Sequence, residues 1–210
     1  MHWISIAMRA DGPARSYAGI GARDTPPHIL ATMRTCGRIL AERGLTLRSG
    51  GADGADTAFD DGVAKGGLRE IYLPWAGFNK VVGGMPPSCA SITAEAKRIA
   101  AAAHPAWDRC SDAAKKMHAR NVHQVLGAQL DDPSAMIICF TKDGLASGGT
   151  GQAIRIAELH GIPVINLRIA GHLAAVEAAL GFARVAPTQT LDTPEAAYER
   201  RAAMRRERGR

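Results

Sequence analysis

Several features are missing from the 210-residue sequence, and each absence excludes a class of protein. The chain contains no apolar run of about 18 residues or more, so a transmembrane helix and a membrane partner are not expected. Its first residues show no long apolar region after a basic one, so we expect no signal peptide. Internal repeats and low-complexity segments are also missing from the sequence. These absences together favour a cytoplasmic globular protein.

The cysteines and histidines show no metal-binding pattern in the sequence. The chain has four cysteines, Cys36, Cys89, Cys110 and Cys139, which form no C-x-x-C pair and match no zinc spacing. Because Cys36 and Cys139 lie in apolar runs, we expect them to be reduced thiols in the core. His118 and His123 are five residues apart, whereas a helical metal site places two histidines four apart. We therefore expect no metal and no other cofactor.

The positive charge of the chain is concentrated at its end. Hydrophobic residues make up 46% of the sequence and charged residues 22%, which is typical of a globular protein. Of the net charge of +6, residues 199–210 supply +4 through six arginines and two glutamates, leaving +2 for the rest. A basic tail can add sequence-independent affinity for phosphate. It is equally compatible with a solvated helix end.

Short apolar runs alternate with helical patterns, which is typical of βαβ units around a parallel sheet. The predicted strands are residues 16–20, 45–48, 70–74, 135–141 and 163–167. The first helix is predicted to begin at Pro26, with Thr25 as its N-cap, and to end at Gly44. The other predicted helices are residues 56–65, 92–103, 112–130, 150–160 and 173–180. Residues 76–91, rich in glycine and proline, are predicted to form a long loop, either a binding loop or a surface excursion.

These elements predict one α/β domain, a three-layer α/β/α Rossmann-like fold with a doubly wound parallel sheet. The predicted domain covers residues 16–185, between an extension of residues 1–15 and a basic tail of residues 186–210. Residues 199–210 carry the charge of that tail.

Three glycine-rich loops are predicted to follow strands and to open helices. In a parallel sheet such loops share the carboxyl edge, so they would lie on one rim. Glycine lets a backbone approach a ligand closely, and helix N-termini present free N–H groups that suit phosphate. The predicted ligand-binding residues in these loops are Gly19, Gly21, Arg23, Ser49, Gly50, Gly51, Asp53, Asp56, Gly148, Gly149, Thr150, Gly151 and Gln152.

Each polar side chain in these loops has a structural alternative to its predicted binding role. Arg23 would bind phosphate as a bidentate donor, or form a surface salt bridge. Asp53 and Asp56 would contact ribose hydroxyls, or cap a helix. Thr150 would donate its hydroxyl to phosphate, or cap its own helix. The pair Arg120-Asn121 falls within a predicted helix, where such a pair ordinarily faces solvent.

Four motifs occur in a characteristic order: Gly-Ile-Gly-Ala-Arg at 19–23, Ser-Gly-Gly-Ala-Asp-Gly-Ala-Asp at 49–56, His-Ala-Arg-Asn at 118–121 and Ser-Gly-Gly-Thr-Gly-Gln-Ala at 147–153. Over residues 16–168 this order resembles the Rossmann-like superfamily that unites DNA-processing protein A with the Lonely-guy phosphoribohydrolases. The resemblance adds Arg120 and Asn121 to the expected ligand-binding residues. It implies a nucleotide or single-stranded DNA as the partner, and it is compatible with a homodimer.

The DNA-processing branch of that superfamily carries G-S-R, S-G-x-A-x-G-I-D, R-N-R and S-G-S-x-x-T-A. Gly21-Ala22-Arg23 is similar to the first motif, residues 49–56 are similar to the second, and Ser147-Gly148 begins the fourth. Arg120-Asn121 begins the third motif, but Val122 replaces its last arginine. Members of this branch bind single-stranded DNA and load a recombinase. The resemblance therefore implies a binding protein related to DNA recombination mediators.

The phosphoribohydrolase branch cleaves the base from a nucleoside monophosphate and carries M-x-x-R-K and P-G-G-x-G-T-x-x-E. Met117 and Arg120 match the first motif, and the resemblance makes Arg120 the expected catalytic residue. Gln152 stands at the threonine position of the second motif and Arg155 at its glutamate position. Cleavage through a cation-like transition state needs a nearby carboxylate. Glu158, one turn further on, could supply it only if the helix were shifted, and Asp53 or Asp56 could supply it from the other side.

Three functions follow from these comparisons of motifs. The leading interpretation is a protein that binds a nucleotide, or the sugar-phosphate of a DNA strand, without cleaving it. The second is a nucleotide N-glycosidase that releases free base. The third is a sensor that binds one signalling nucleotide without turning it over, and ligand stabilisation by that nucleotide alone would identify it. Whether the chain is an enzyme stays open from the sequence.

Overall fold

The computed structural model of the protein describes residues 16–182. The predicted N-terminal extension, the basic tail and residues 183–185 of the predicted domain lie outside this range. Among the described residues, no helix has the length and apolar character needed to cross a membrane.

A five-stranded sheet forms the centre of the molecule. Its strands are β1 (Ser16–Gly19), β2 (Thr46–Ser49), β3 (Arg69–Ile71), β4 (Ile137–Cys139) and β5 (Val164–Asn166). Every pair of neighbouring strands is parallel, and the order across the sheet is β3-β2-β1-β4-β5. The five predicted strands and their parallel arrangement are therefore confirmed. The observed strands are three or four residues long, so the flanking residues of longer apolar runs belong to loops.

Helices cover both faces of the sheet. They are α1 (Pro27–Glu42), α2 (Ala55–Gly62), α3 (Ala90–Ala102), α4 (Asp112–Leu126), α5 (Gly148–Leu159) and α6 (Ala170–Leu180). One buried cluster joins the sheet to α1, α2 and α6, and a second joins it to α3, α4 and α5. Along β4, Ile138 packs into the first cluster while Ile137 and Cys139 pack into the second, as the two-residue period of a strand requires. The predicted three-layer α/β/α fold is confirmed.

The predicted start of the first helix was wrong by one residue. The helix begins at Pro27, and Pro26 occupies the N-cap position. The Thr25 hydroxyl does not cap the helix, because it donates a hydrogen bond to the Ala22 carbonyl at 2.7 Å. At the other end, Gly44 adopts a positive φ of 79° just after the helix, as predicted for a terminating glycine.

Helices α2, α3, α4 and α5 end before their predicted last residues, and helices α2, α3, α5 and α6 begin earlier than predicted. Helix α4 ends at Leu126 because Gly127 has a φ of 80°, and α2 ends at Gly62. Helix α5 begins at Gly148 and α6 at Ala170. Thr150 therefore lies inside the first turn of α5, and the capping role considered for it does not occur.

The predicted core thiols and the predicted long loop are present. Cys36 and Cys139 are fully buried, and burial raises the pKa of each thiol to about 12, which leaves both unreactive. Between β3 and α3 the chain contains one short 3-10 turn, Phe78–Lys80, and one bridge from Tyr72 to Met85. The loop after β3 therefore passes close to the carboxyl edge of the sheet.

Candidate anion-binding cleft

The strand order places a cleft between β1 and β4. Strand β1 is central, so the chain segments after β2, β1 and β4 lie side by side at the carboxyl edge. The order of strands reverses between β1 and β4, and in open α/β sheets ligands bind in the crevice at such a point. A cavity of about 230 Å³ occurs there, between the segments after β1 and β4 and helix α4. It is lined by Ile20, Gly21, Ala22, Arg23, Ala52, Asp56, Met117, His118, Arg120, Asn121, Gln124, Gly149, Thr150 and Ala153.

Helix α4 supplies one wall of the cleft. Met117, Arg120, Asn121 and Gln124 all line it, and spacings of three and four residues put them on one face of the helix. Arg120 and Asn121 are buried, at 6% and 8% exposure, although an Arg-Asn pair in a helix ordinarily faces solvent. A buried guanidinium needs partners, so the surroundings of Arg120 decide what this wall can bind.

Arg120 is only partly satisfied by the protein. Its Nη1 donates to Asp56 Oδ2 at 3.3 Å, and both side chains are buried. With its oxygen turned toward Gly50, the Gln124 amide accepts from Gly50 N at 2.8 Å and from Arg120 Nη1 at 3.3 Å. The buried Nε of Arg120 has no hydrogen-bond partner within residues 16–182. An unpaired buried donor on a charged group is costly, and an incoming anion would relieve that cost.

Gly50 leaves the space through which Arg120 reaches the cleft. A Cβ atom at this position would lie 0.9 Å from Arg120 Nη1 and 2.2 Å from its Cζ. No side chain can therefore stand here unless the guanidinium moves. Gly50, a predicted ligand-binding residue, does not line the cavity, and its lack of a side chain makes room for the arginine.

The charges around the cleft leave it positive. Burial lowers the pKa of Arg120, and nearby Arg23 lowers it further, whereas Asp56 opposes both effects. The guanidinium still stays charged at neutral pH, because its ordinary pKa is so high. Burial raises the pKa of Asp56, and Arg120 opposes that change. Two arginines therefore border the cleft, and the one carboxylate among its described lining residues, Asp56, is paired with Arg120.

The first loop contributes Arg23 but few backbone donors. Arg23 is exposed, lines the cleft and forms no ion pair with any residue of the described range, so the predicted alternative of a salt bridge is not seen there. The N–H of Ala22 donates to the Phe140 carbonyl at 3.1 Å. Helix α1, which follows, starts with Pro26 and Pro27, and proline has no N–H to offer. Within the described chain, this side of the cleft therefore offers a side-chain donor and no N–H groups from a helix start.

The second loop, residues 50–54, is closed by the protein's own carboxylate. Asp56 Oδ2 accepts a hydrogen bond from Ala52 N at 3.3 Å, while Ser49 Oγ donates to the Gly19 carbonyl at 2.7 Å. Asp53 lies exposed at the tip of this loop and accepts from Asn79 Nδ2 at 3.3 Å, without capping α2. Of the two acidic residues predicted in this loop, Asp56 therefore borders the cleft and Asp53 does not.

The third loop leaves its backbone donors open. Ser147 occupies the N-cap position of α5 and makes no side-chain cap, because its hydroxyl donates to Asp143 at 2.8 Å. The N–H groups of Gly148, Gly149 and Thr150 start the helix and have no acceptor in the described chain. A Cβ on Gly149 would meet nothing within 4 Å. This helix end therefore presents free N–H groups and a partial positive charge to the cleft.

Asn121 and Gln152 hold the third loop in place behind the cleft. Asn121 Nδ2 donates to the Gly149 carbonyl at 3.1 Å and to Gln152 Oε1 at 3.2 Å. Gln152 is fully buried and donates to the Ala100 carbonyl at 3.2 Å. Its amide is satisfied inside the protein, so Gln152 positions α5 against α3 and α4 instead of facing the cavity.

Arg155 has a structural role, because its side chain is hydrogen-bonded to the backbone. Its Nε donates to the Ala103 carbonyl and its Nη1 to the Ala146 carbonyl, each at 2.7 Å. Glu158, one turn further along α5, is exposed and does not line the cavity. Among the described lining residues the carboxylate is that of Asp56, which is already bonded to Arg120 and to Ala52.

A second depression, of about 590 Å³, lies on the other side of β4. It is larger than the cleft and is lined by two cations, Lys142 and Arg168. Lys142 pairs with Asp24, and Arg168 Nε donates to the Lys142 carbonyl at 3.0 Å. These cations already have partners, so we place the candidate site in the smaller cleft.

The structure brings together about half of the predicted site residues. Those that line the cleft are Gly21, Arg23, Asp56, Arg120, Asn121, Gly149 and Thr150. The others lie beside or behind it: Gly19, Ser49, Gly50, Gly51, Asp53, Gly148, Gly151 and Gln152. Sequence reasoning missed Gln124 and did not give His118 a place in this site. Gln124 lies four residues after Arg120, and His118 lies three residues before Asn121. This helical spacing was the signal that could have placed both residues in the site.

Comparison with known proteins gives little further information. No protein-family model matches the chain, and no curated protein matches it significantly. Among solved structures, DNA processing protein A from Helicobacter pylori, described for its unique mode of binding single-stranded DNA, is similar at 15% sequence identity and a TM-score of 0.44. The match covers 82% of each chain. A likeness of this extent carries no argument about function.

Proposed function

We propose that the cleft between β1 and β4 binds the phosphate of a nucleotide unit, either a free nucleotide or part of a single-stranded DNA. The observation that supports this most is Arg120, a buried guanidinium on the cleft wall whose Nε has no partner in the described chain. Burying a guanidinium without all of its hydrogen bonds is costly, and a bound anion would lower that cost.

Two further donors would act on the same phosphate. Arg23 reaches the cleft from the segment after β1, and the free N–H groups of Gly149 and Thr150 reach it from the start of α5. Arginine can donate to phosphate in bidentate fashion, and a helix N-terminus adds a favourable partial charge. The ligand would thus be held between β1, α4 and α5.

The size of the cleft favours a sugar-phosphate over a whole dinucleotide. Its volume of about 230 Å³ is below the roughly 300–1,000 Å³ of pockets that enclose drug-sized ligands. A phosphate and its sugar would fill it, and the base would extend outside. This arrangement suits a strand of DNA as well as a single nucleotide, and it agrees with the binding role implied by the motifs.

The second candidate function is cleavage of an N-glycosidic bond. It is favoured by one observation, the Asp56 carboxylate at the edge of the cleft beside Arg120. The ion pair of Asp56 and its hydrogen bond to Ala52 make it a poor nucleophile or base, and Arg155 supplies no carboxylate. We therefore place binding without cleavage first.

The proposal is tested by equilibrium binding of a fluorescent single-stranded oligonucleotide, with unlabelled nucleoside monophosphates as competitors at two salt concentrations. Removing a charged phosphate donor costs about 1.5–3 kcal/mol. Arg23→Ala should therefore weaken binding at least about tenfold and make it less dependent on salt. Arg23 is exposed, so this variant should fold normally.

Arg38→Ala is the matched control, since Arg38 is exposed on α1 and pairs with Glu42 outside the cleft. We expect it to bind as the wild-type chain does. Equal binding by Arg23→Ala and Arg38→Ala, or no binding by the wild type, would refute the proposal. Release of free base that disappears in Arg120→Ala would establish the hydrolase instead.

A further inference from the structure

Three potential metal ligands meet beside the first half of α4, next to the cleft. They are His104, just after α3, Cys110, just after the 3-10 turn Trp107–Arg109, and His118 on α4. One ligand atom from each residue lies within 4.8 Å of the other two, and all three residues are half-buried. Imidazole nitrogen and thiolate sulfur are the ligands that Zn²⁺ prefers in proteins.

The distances within this cluster are close to those of a zinc site. Cys110 Sγ lies 3.8 Å from His104 Nδ1 and 3.7 Å from His104 Nε2. In a tetrahedral site with Zn–S of about 2.3 Å and Zn–N of about 2.0–2.1 Å, sulfur and nitrogen are roughly 3.5 Å apart. The observed separations exceed this value by only a few tenths of an ångström. Because Sγ is almost equally far from both ring nitrogens, binding a shared ion also requires the His104 ring to turn one nitrogen toward it.

His118 is oriented in the way that metal-binding histidines usually are. Its Nδ1 is 3.0 Å from Gln152 Oε1, and because a carbonyl oxygen only accepts, Nδ1 carries the proton. Gln152 is itself fixed by its hydrogen bond to the Ala100 carbonyl. This leaves His118 Nε2 deprotonated and free to bind a metal, with Gln152 supporting the ring from the other side.

His104 can bind through either nitrogen. Its Nδ1 accepts from Ala106 N at 3.1 Å, so coordination through Nδ1 would replace this hydrogen bond. Coordination through Nε2 would require the proton to move to Nδ1 and the Ala106 N–H to turn away. The rings of His104 and His118 have centroids 4.5 Å apart, and Trp107 packs against both. The cluster is thus shielded by an aromatic side chain.

We propose that His104, Cys110 and His118 form a binding site for Zn²⁺. The thiolate of Cys110 would offset part of the ion's charge, and three protein ligands would leave a fourth position for water. His118 also borders the cleft, so a bound ion would fix one side chain of its wall. The zinc site does not depend on phosphate binding, and either can exist without the other.

The proposal departs from the expectation of no metal that the sequence suggested. That expectation considered His118 with His123, which is five residues further along the same helix. The fold instead brings His118 next to His104 and Cys110, which precede it in the chain by fourteen and eight positions. Linear spacing within one helix could not reveal this meeting.

The test is a titration of the reduced, untagged, metal-free full chain with Co²⁺, which takes zinc sites and reports thiolate ligation by a sulfur-to-metal absorption band. We expect one Co²⁺ per chain, displaced by Zn²⁺. Cys110→Ser should remove the sulfur band. The matched control is Cys89→Ser, because Cys89 is exposed and outside the cluster, and this variant should keep the band.

Two further variants distinguish loss of metal binding from loss of the folded structure. His118→Gln and His104→Gln should each weaken Co²⁺ binding by at least about tenfold while circular dichroism shows a folded chain. Absence of the sulfur band in the wild type, or its persistence in Cys110→Ser, would overturn the proposal. Because no nucleotide is involved, these outcomes do not depend on whether the cleft binds phosphate.

Discussion

The loop after β2 and the loop that opens α5 are both rich in glycine, yet their backbone N–H groups have different partners. In the first, the Asp56 carboxylate accepts from Ala52 N and holds Arg120. In the second, the N–H groups of Gly148, Gly149 and Thr150 have no acceptor within the described chain. The first loop is therefore closed by the protein itself, and the second is open to a ligand.

This difference shows that glycine-rich loops on one rim can have separate tasks. Gly50 is a glycine because Arg120 passes where its side chain would be, whereas the position of Gly149 is surrounded by open space. On the proposed function, the closed loop positions the Arg120 guanidinium, and the open helix end would donate hydrogen bonds to the phosphate. Substitutions in the closed loop should therefore affect folding, and those in the open loop should affect binding.

The largest expected effect is that of Asp56→Ala in the closed loop. It leaves the buried Arg120 without its carboxylate, and breaking a buried ion pair by removing one partner costs about 3–5 kcal/mol. Urea unfolding would show a loss of free energy of unfolding of this size. The control is Asp53→Ala, which changes the exposed tip of the same loop and should cost about 0.5 kcal/mol or less. Equal stability of the two variants would contradict the closed-loop interpretation.

The next largest effect is that of Gly50→Ala. The added methyl group would stand 0.9 Å from Arg120 Nη1 and 2.8 Å from Asp56 Oδ2, so the buried pair must move. Overpacking of this kind costs about 1–3 kcal/mol of stability, and displacement of Arg120 should abolish phosphate binding. Thermal unfolding and the oligonucleotide assay would measure the two effects. A variant that bound normally would show that Arg120 does not contact the ligand.

Acid should destabilise the fold through His123, which lies on α4 outside both loops. His123 stacks on Tyr72 with ring centroids 5.5 Å apart, and burial lowers its pKa while a hydrogen bond to the Gly127 carbonyl opposes the change. The unfolded chain protonates this imidazole near pH 6.5, at a pH where the folded chain still keeps it neutral. The unfolded state then binds more protons, so the free energy of unfolding falls as the pH drops below about 6.5 and levels off below the folded pKa.

Urea unfolding at pH 7.5 and pH 5 measures this effect. Each pH unit between the two pKa values contributes about 1.4 kcal/mol, and His123→Gln should remove that part of the acid loss. His160→Gln, which changes an exposed histidine at the end of α5, is the control and should keep the full acid loss. If both variants lose stability equally on acidification, the buried His123 is not the cause.

The smallest effect on stability is expected for Gly149→Ala in the open loop. A Cβ here meets nothing within 4 Å, and alanine favours the helix over glycine by up to about 1 kcal/mol. The variant should be as stable as the wild type or slightly more stable. It should bind the oligonucleotide several-fold more weakly, because the methyl group lies where the ligand approaches. Unchanged binding would show that the start of α5 is not part of the site.

The fold could be predicted largely from local patterns. The strand predicted at residues 135–141 contains β4, and the helix predicted from Pro26 to Gly44 contains α1. Helix ends were less predictable, since the capping hydrogen bonds expected of Thr25 and Thr150 went elsewhere or did not form. Such choices depend on partners that are only available in the folded chain.

The site could be predicted only in part. The motifs pointed to Arg23 and Arg120, but the burial of Arg120 and its pairing with Asp56, 64 residues away, arise because the fold brings α4 and the first turn of α2 together at the cleft. The positions of the two glutamines relative to the cleft also depend on tertiary packing. Gln152 is fixed behind the cleft, whereas Gln124 lines it. Periodicity along α4 indicates which residues share a face, but not which partners that face meets.

The most direct test of phosphate binding at the open loop is an amide NMR titration of the chain with a nucleoside monophosphate. We predict the largest chemical-shift changes at the N–H groups of Gly149 and Thr150 and at Arg120 Nε, with much smaller changes at Gly51 and Ala52. Shifts confined to the closed loop, or none at the start of α5, would contradict the account.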